Sequence, residues 1–275
     1  MKRGRGSSIA WNVTLFSFTA LMILPVLWMI STSLKSPSEM FASGLQLFPR
    51  NPTWLHFRTL ISQFSIPNIV LNTLVMAITL SALQILTSVL AAYGFARYSF
   101  PFKKVLFYLC IAQMFIPIQV VMVSNYLVVS RLGILNTLLS VVLPQTSLGL
   151  GVFFMFQHIR VFPQSIIDSS RIDGAGELRV LFNVVLPVIK PMVAAIGIII
   201  FINNWNQYVW PALVLQQPEQ MTLPIWLRQF MHAEAGTSFG LLMAASFLGV
   251  APALLIFVIA RQTIMDAFLE SGLKG

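Results

Sequence analysis

The chain has 275 residues, of which 57% are hydrophobic and only 9% are charged, and its mean hydropathy is +0.83. A soluble globular domain carries about 25% charged residues, because its surface must be wet. The composition excludes an ordinary soluble domain of this length and indicates that lipid covers much of the surface.

Six stretches of the sequence contain no Asp, Glu, Lys or Arg. Each exceeds the roughly 20 residues that cross a hydrocarbon core about 30 Å thick as a helix. Backbone polar groups in lipid must be satisfied within the segment, so we expect helices and an all-α membrane protein with six transmembrane helices. The stretches are 6–34, 59–96, 105–130, 132–157, 191–218 and 235–260.

Prolines and charged residues separate or interrupt the predicted helices. Lys2 and Arg5 precede an apolar run that is too long for the h-region of a signal peptide, so we expect a retained first helix. The segment 158–190 is rich in charge and follows the fourth helix, whereas Pro117 and Pro144 interrupt the third and fourth. Such prolines kink packing helices or mark breaks beside transport sites, and both interpretations stay open. In chain order the predicted helices cover 9–33, 67–96, 105–129, 137–157, 191–214 and 240–260, with outer segments at 34–65 and 215–238.

The net charge of +9 is explained by topology rather than by nucleic-acid binding. If the N-terminus is cytoplasmic and the helices alternate in direction, 12 of the 17 Lys and Arg residues fall in cytoplasmic segments and 5 in outer ones. This is the positive-inside asymmetry of membrane proteins, and it predicts that both termini are cytoplasmic. The cytoplasmic set is Lys2, Arg3, Arg5, Arg97, Lys103, Lys104, Arg160, Arg171, Arg179, Lys190, Arg261 and Lys274. The outer set is Lys35, Arg50, Arg58, Arg131 and Arg228.

The cytoplasmic segment between the fourth and fifth helices has the pattern of two short helices. Pro163 suits the first turn of a helix, where its missing N–H is not needed. Gly174 and Gly176 are expected to end that helix, because glycine tolerates the positive φ of a C-cap. A second short helix is predicted from Glu177, and Pro187 marks the entry to the fifth membrane helix. The pattern predicts a bent element with charged and apolar faces that fits a groove on a partner, whereas a solvated connector is the ordinary alternative.

The run 168–175, followed by Leu186-Pro187, resembles the cytoplasmic E-A-A-x-x-D-G-A … L-P loop of binding-protein-dependent ABC importers. Asp, Ser and Ser replace Glu, Ala and Ala at its first three positions, which keeps the acid and the small size. The resemblance implies the type I ABC importer permease fold, and it implies that this loop is the coupling helix seated in a cleft of an ATPase subunit. The residues assigned to coupling are Asp168, Ser169, Ser170, Arg171, Asp173, Gly174, Ala175, Glu177, Leu186 and Pro187.

Two further features resemble carbohydrate-uptake permeases. The segment 204–211, N-W-N-Q-Y-V-W-P, is similar to the W-N-x-x-x-W-P segment of permeases for maltose, other oligosaccharides and glycerol 3-phosphate. The end of the chain, 261–275, resembles the C-terminus of the second permease of maltose-type systems. That resemblance implies a tail that reaches between two ATPase subunits. The residues assigned to this contact are Phe268, Ser271, Gly272 and Lys274.

The resemblance also implies how the protein is assembled and powered. The sequence has no G-x-x-x-x-G-K-[ST] phosphate loop, so ATP and Mg are expected on partner ATPase subunits, with no cofactor or metal bound by this chain and no enzyme activity of its own. The expected partners are a second related permease, two ATP-binding cassette subunits and an extracytoplasmic solute-binding protein. The expected location is the inner membrane of a prokaryote. The expected regions are 1–66 (first helix and outer loop), 67–261 (permease core with the loop 158–190) and 262–275 (cytoplasmic tail).

Amide side chains within the apolar stretches are the candidates for the translocation pathway. Amides recognise a neutral sugar, but amides in membranes also bond neighbouring helices, at about 0.6–2 kcal/mol each. Both roles stay open for each residue. Ten such amides are Asn72, Gln84, Gln113, Gln119, Asn125, Gln145, Asn203, Asn204, Asn206 and Gln207. The pathway assigned from them, with one neighbouring aromatic, is Asn72, Gln113, Gln145, Asn203, Asn204, Trp205, Asn206 and Gln207.

Two other classes of protein compete with this prediction. An ion-coupled secondary transporter would have similar helices, but it usually places an ionisable residue inside a span. A membrane enzyme would need paired carboxylates, a nucleophile with its base, or a metal site. The six apolar stretches contain no charged residue, and His56, His158 and His232 lack metal-ligand spacing.

Overall fold

The computed structural model describes residues 5–40, 47–231 and 239–272, although for 5–10, 256–257 and 259–272 it describes the backbone alone. Within these ranges the structure is helical and contains no strand, in agreement with the all-α expectation. The helices are α1 Arg5–Ser33, α2 Pro37–Met40, α3 Leu55–Gln63, α4 Ile66–Arg97, α5 Lys103–Ala112, α6 Ile118–Arg131, α7 Leu138–Val142, α8 Gly149–Arg160, α9 Gln164–Ile172, α10 Glu177–Val180, α11 Leu186–Trp205, α12 Val209–Val214, α13 Leu223–Met231 and α14 Phe239–Gly272.

The chain forms two compact units, residues 1–68 with 223–255 and residues 69–222 with 256–275. In the first unit, aromatic rings join α3 to its neighbours: Phe57 of α3 meets Phe247 of α14 edge to face at 6.0 Å, and Phe64, which follows α3, meets Trp226 of α13 at 5.6 Å. Residues 11–28 of α1 are exposed along their whole length. A helix this apolar with no buried face needs lipid or another protein around it.

The core of the second unit joins α4 to the helices around α9. Tyr93 of α4, Ile159 of α8, Ile167 of α9 and Val180 of α10 belong to one buried hydrophobic cluster, which continues into α11 through Ile196. Because Ile167 and Val180 are completely buried, the short helices α9 and α10 are fixed to this core rather than loosely attached. Burial of such an aliphatic side chain contributes about 1.5–3 kcal/mol.

Three helical segments are long and apolar enough to cross a membrane, 11–33, 66–97 and 177–205. Two bent pairs of helices pass the same test together, so that the described residues contain up to five spans. The predicted third helix is one of these pairs: α5 and α6 meet at 102°, and Pro117 is the N-cap of α6. The predicted fourth helix is the other, since α7 and α8 meet at 48° beyond a 3-10 turn that contains Pro144. Proline lacks the N–H that would continue each helix, so the prolines that interrupt the predicted helices over 105–129 and 137–157 mark bends between shorter helices.

The fifth predicted helix also has different ends. It was expected over 191–214, but α11 begins at Leu186 and continues the helical path from α10 through a π-helical turn, Leu181–Val185. It ends at Trp205, and the chain becomes helical again only in α12. Pro211 lies in the first turn of α12, where its missing N–H is not needed, so the proline suits a new helix start.

Candidate functional site

The bent element, which we define as residues 163–185, contains a sharp turn between α9 and α10. Gly174 lies in this turn with φ +83°, the left-handed conformation that favours glycine and that the sequence predicted. Gly176 does not share this role: its φ is −68°, and it is the N-cap residue of α10. The expectation that both glycines end α9 was therefore wrong for Gly176, because the 6→1 bond from the Ala175 N–H to the Ser170 carbonyl, together with the bond from the Gly174 N–H to the Arg171 carbonyl, already closes the helix.

One face of the bent element is anchored and the other is open. Ala175 packs beside the hydrophobic cluster that contains Ile167 and Val180. Ile172 and Leu178, in contrast, have 87% and 66% of their surface exposed. Two large aliphatic side chains so exposed at one turn, next to charged residues, are typical of a surface that a partner covers.

Arg171 holds the two short helices together across the turn. Its Nε donates to Glu177 Oε1 at 2.8 Å, and its guanidinium lies 3.4 Å from Asp168 Oδ1. The hydrogen bond to the Glu177 carboxylate raises the pKa of Arg171. An exposed pair of this kind contributes only about 0–1 kcal/mol to stability, so its main effect is on the shape of the turn.

Two residues of α4 donate hydrogen bonds to the bent element and to the residue before it, and the sequence did not indicate this role for either. The Tyr93 hydroxyl donates to Glu177 Oε2 at 2.9 Å. Arg97 donates to Gln164 Oε1 at 2.9 Å and to the Phe162 carbonyl at 2.8 Å, which covers the chain where it enters α9. Arg97 was predicted only as a topological charge, because nothing near it in the sequence shows a contact more than 60 residues away.

The two serines that depart from the E-A-A pattern bond to their own helix. Ser169 Oγ donates to the Ser165 carbonyl and Ser170 Oγ to the Ile166 carbonyl, each at 2.8 Å. Hydroxyls bonded to the carbonyl four residues earlier are satisfied without a partner. The serines therefore replace the alanines of the E-A-A pattern as small side chains. At the end of the segment, Leu186 begins α11 and Pro187 lies in its first turn, where proline is tolerated.

The second candidate site, the amide cluster, joins α4 to the break between α7 and α8 and to α11. Asn204 Nδ2 donates to Ser81 Oγ at 3.0 Å and to Gln84 Oε1 at 2.9 Å. The amides of Gln145 and Gln207 bond directly to each other. The structure thus brings three of the predicted pathway residues together, but as hydrogen-bonded partners within the fold.

Side chains also satisfy the backbone where α7 and α8 separate. Four consecutive carbonyl groups, at positions 145–148, each accept a hydrogen bond from a side chain elsewhere in the unit. This is required because an unsatisfied carbonyl in lipid costs several kcal/mol. The donors are Gln84 to residue 145 at 2.7 Å, Thr87 to 146 at 2.7 Å, Gln113 to 147 at 3.4 Å and Ser88 to 148 at 3.5 Å. Of these donors, Thr87 and Ser88 were absent from the predicted set, because hydroxyl residues are common in membrane helices and carry no distinguishing pattern.

Two of the remaining pathway candidates, Asn72 and Asn206, lie apart from the amide cluster. Asn72 Nδ2 donates to the Glu219 carbonyl at 2.8 Å, and Asn206 Nδ2 donates to the Ile202 carbonyl in its own helix, also at 2.8 Å. Trp205 is buried, whereas Asn203 is exposed. Of the tail residues, Phe268, Ser271 and Gly272 are described only as backbone of α14, and Lys274 lies outside the described residues.

Membrane-length helices, two bent helix pairs and the absence of strands in the described residues define a polytopic helical membrane protein. Residues 84–269 match the family described as binding-protein-dependent transport system inner membrane component. This match covers more than half of the chain, so the protein belongs to that family, which is one of transport permeases rather than enzymes.

Curated relatives are similar over nearly the whole chain. The arabinooligosaccharides transport system permease protein AraQ of Halalkalibacterium halodurans is 28% identical and covers 100% of both chains. The sulfoquinovosyl glycerol transport system permease protein SmoH of Agrobacterium fabrum is 28% identical over 92% of this chain and 89% of its own length. The sn-glycerol-3-phosphate transport system permease protein UgpE of Yersinia pestis is 26% identical over 97% and 98%.

Solved structures support the same fold. A chain of a bacterial ABC transporter involved in the import of the acidic polysaccharide alginate superposes with a TM-score of 0.82, at 17% identity, over 95% of this chain and 99% of that one. A second structure of a bacterial alginate ABC transporter, in complex with an alginate pentasaccharide-bound periplasmic protein, gives a TM-score of 0.60 at 16% identity. The likeness confirms the expected fold of an ABC importer permease.

Proposed function

We propose that this protein is one permease half of an ATP-driven, binding-protein-dependent importer for a sugar, an oligosaccharide or a glycerol-3-phosphate-like solute. Its family and the solutes in the names of its relatives support this class of substrate. The observation that carries the proposal is the bent element, which is fixed to the core on one face and open on the other.

The proposed topology has six membrane spans with both termini in the cytoplasm of a prokaryote and the chain in the inner membrane. The spans are α1, α4, the α5–α6 pair, the α7–α8 pair, α11 and the apolar first part of α14. The 12-to-5 distribution of Lys and Arg between the two sides supports this orientation. Residues 67–261 then form the permease core, between the first span with its outer loop and a cytoplasmic tail at 262–275.

The proposed complex contains a second permease, two ATPase subunits that carry ATP and Mg, and an extracytoplasmic solute-binding protein. In this complex Ile172 and Leu178 insert into a cleft of one ATPase subunit. Closure of the ATPase pair on ATP moves the bent element, and the buried contacts of Ile167 and Val180 transmit the movement to α4 and α11. The tail residues Phe268, Ser271, Gly272 and Lys274 are proposed to contact the ATPase pair.

Photo-crosslinking tests the docking of the bent element. In a Cys110→Ser background, Ser169→Cys places a thiol on the exposed face of α9, and Ser62→Cys places a matched thiol on the exposed face of α3, which the topology assigns to the outer side. Each thiol is labelled with benzophenone maleimide in the purified complex and irradiated with and without ATP. We expect an ATPase adduct from position 169, with a yield that changes with ATP, and none from position 62.

Uptake into proteoliposomes tests the energy source in the same preparations. ATP-dependent uptake without an ATPase adduct from position 169 would contradict the coupling assignment alone. Uptake by the permease pair without ATPase subunits, driven by an ion gradient, would overturn the proposed function and favour a secondary transporter.

A further inference from the structure

Two adjoining cavities lie in the second unit, beside the amide cluster. The larger has a volume of about 540 Å³ and lies between the α5–α6 bend and the start of α8. The smaller, of about 190 Å³, lies between α8 and α11. Both are lined by Gln84 and Gln145, so the amide cluster forms their common wall. A volume of 540 Å³ falls in the range of small-molecule sites, about 300–1,000 Å³.

The polar groups that line the cavities fall into two kinds. Gln84, Gln113 and Gln145 use both ends of their amides in bonds to the protein, so they form a fixed wall. Asn125 and Ser147 line the larger cavity and have no side-chain hydrogen-bond partner among the residues that the structure describes. Their donors and acceptors remain available to a ligand.

The smaller cavity repeats this arrangement next to an aromatic ring. Asn203 is exposed to the cavity and, within the described part of the chain, its amide bonds to no other residue. The ring of Phe154 lines the same cavity. An amide offers two donors and an acceptor, which suits a ligand with hydroxyl groups, and an aromatic face covers the apolar C–H surface of a sugar ring.

The charge of the cavities restricts the ligand further. Neither lining contains a Lys, Arg, His, Asp or Glu residue. A phosphate or carboxylate group taken out of water needs a cationic or densely donating partner, most often arginine. The N-terminus of α8 would favour an anion, but the Gly149 N–H already donates to Gln113 Oε1 at 3.1 Å. The lining therefore favours a neutral ligand.

We infer that these two cavities are a solute-binding site contributed by this permease, and that the site accepts a neutral saccharide and not a phosphorylated or carboxylated one. Asn125 and Ser147 bind hydroxyl groups in the larger cavity, and Asn203 binds a sugar unit that packs on Phe154 in the smaller one. The inference rests on the proposed transport function, which it narrows from three solute classes to neutral saccharides.

Uptake by the complete complex tests the inference. Proteoliposomes that contain both permeases, the ATPase subunits and the binding protein are given arabinotriose, lactose, diacetylchitobiose, sn-glycerol 3-phosphate or an alginate trisaccharide. We expect ATP-dependent uptake of at least one of the three neutral saccharides and of neither anion.

For the saccharide taken up, Asn125→Leu and Asn203→Leu should each raise the KM of uptake at least fivefold. Gln119→Leu removes an exposed amide from the same helix as Asn125, lines neither cavity, and should change the KM less than twofold.

ATP hydrolysis without solute, measured for each variant, shows whether the complex is intact, and Asn→Ala replaces Asn→Leu at any position where this activity is lost. Uptake of either anion contradicts the proposed specificity for neutral saccharides. If the KM of either Asn variant stays within twofold of that of the unmodified protein, the cavity lined by that residue is not part of the solute-binding site. Both results leave the proposed function in place. Absence of ATP-dependent uptake of all five probes counts instead against the proposed function itself.

Discussion

The bent element and the α7–α8 break both turn a helical chain sharply, but by different means. The turn of the bent element is made by its own residues, through Gly174 and the pair between Arg171 and Glu177, six positions apart. The α7–α8 break is held by side chains that lie 34 to 61 positions away, such as Gln113 and Gln84. A turn in water can be formed by interactions between neighbouring residues, because water satisfies the remaining backbone N–H and C=O groups. A break within a membrane has no such water, so side chains from distant positions must donate to its carbonyls.

The two regions also differ in the kind of side chain that is left available to a partner. The bent element exposes the aliphatic side chains of Ile172 and Leu178, whereas Arg171 beside them is paired with Asp168 and Glu177. Beside the break, the backbone carbonyls are paired but Asn125 and Asn203 have no partner in the described part of the chain. The first surface therefore suits a protein with an apolar cleft, and the second suits a small polar solute.

The largest effect is expected at the α7–α8 break, from Gly149→Ala. A Cβ atom there would lie 2.4 Å from the carbonyl oxygen of Cys110, which belongs to the backbone of α5 and cannot rotate away. We expect a loss of about 1–3 kcal/mol in the free energy of unfolding, seen as a lower thermal midpoint of the purified complex. Gly94→Ala, in α4 with no atom within 4 Å of the new Cβ, is the matched control and should melt at or above the unmodified protein. Equal midpoints for the two variants would refute the close contact between α5 and α8.

An intermediate effect is expected in the bent element, from Gly174→Ala. No atom lies within 4 Å of the new Cβ, so the substitution acts only through the φ of +83° and costs about 1–2 kcal/mol of backbone strain. Relief of this strain moves α10 relative to α9, and we expect at least a threefold fall in solute transported per ATP hydrolysed. Gly176→Ala, equally open but at φ −68°, should retain the normal ratio. The turn has no role in coupling if both variants transport with the same ratio.

The smallest effect is expected from the double substitution Ser169→Ala and Ser170→Ala. The hydroxyls bond only to the carbonyls one turn back, so their loss should change the free energy of unfolding by less than about 0.5 kcal/mol. Uptake should stay within twofold of the unmodified protein. Arg171→Met, which removes the ion pair across the same turn, is the contrasting variant and should lower uptake more. A large loss in the double alanine variant would mean that the serine hydroxyls themselves contact the ATPase.

The sequence predicted the bent element better than the membrane region for a physical reason. A glycine turn and a short amphipathic helix depend on neighbours within about ten residues, so the pattern around Gly174 was sufficient. Pro117 and Pro144 indicated where the third and fourth helices are interrupted, but a broken membrane helix has the same hydropathy as a kinked one, so the sequence did not decide between them. Likewise the amide of Gln145 is equally polar whether it lines a cavity or bonds to Gln207, and only its surroundings distinguish the two roles.

The sequence by itself determined that the protein is a helical membrane protein with a glycine turn between two short helices after its fourth apolar stretch, since hydropathy, charge distribution and turn residues are local properties. The motif at 168–175, followed by Leu186-Pro187, added the resemblance to importer permeases. Only the tertiary structure decided that Tyr93 and Arg97 contact the bent element, that Asn204 and Gln84 join α11 to α4, and which amides bond to no other residue in the part of the chain that the structure describes. These contacts form only after the helices pack. The residues involved are separated by 60 to 120 positions, so the local sequence around each one does not indicate its partner.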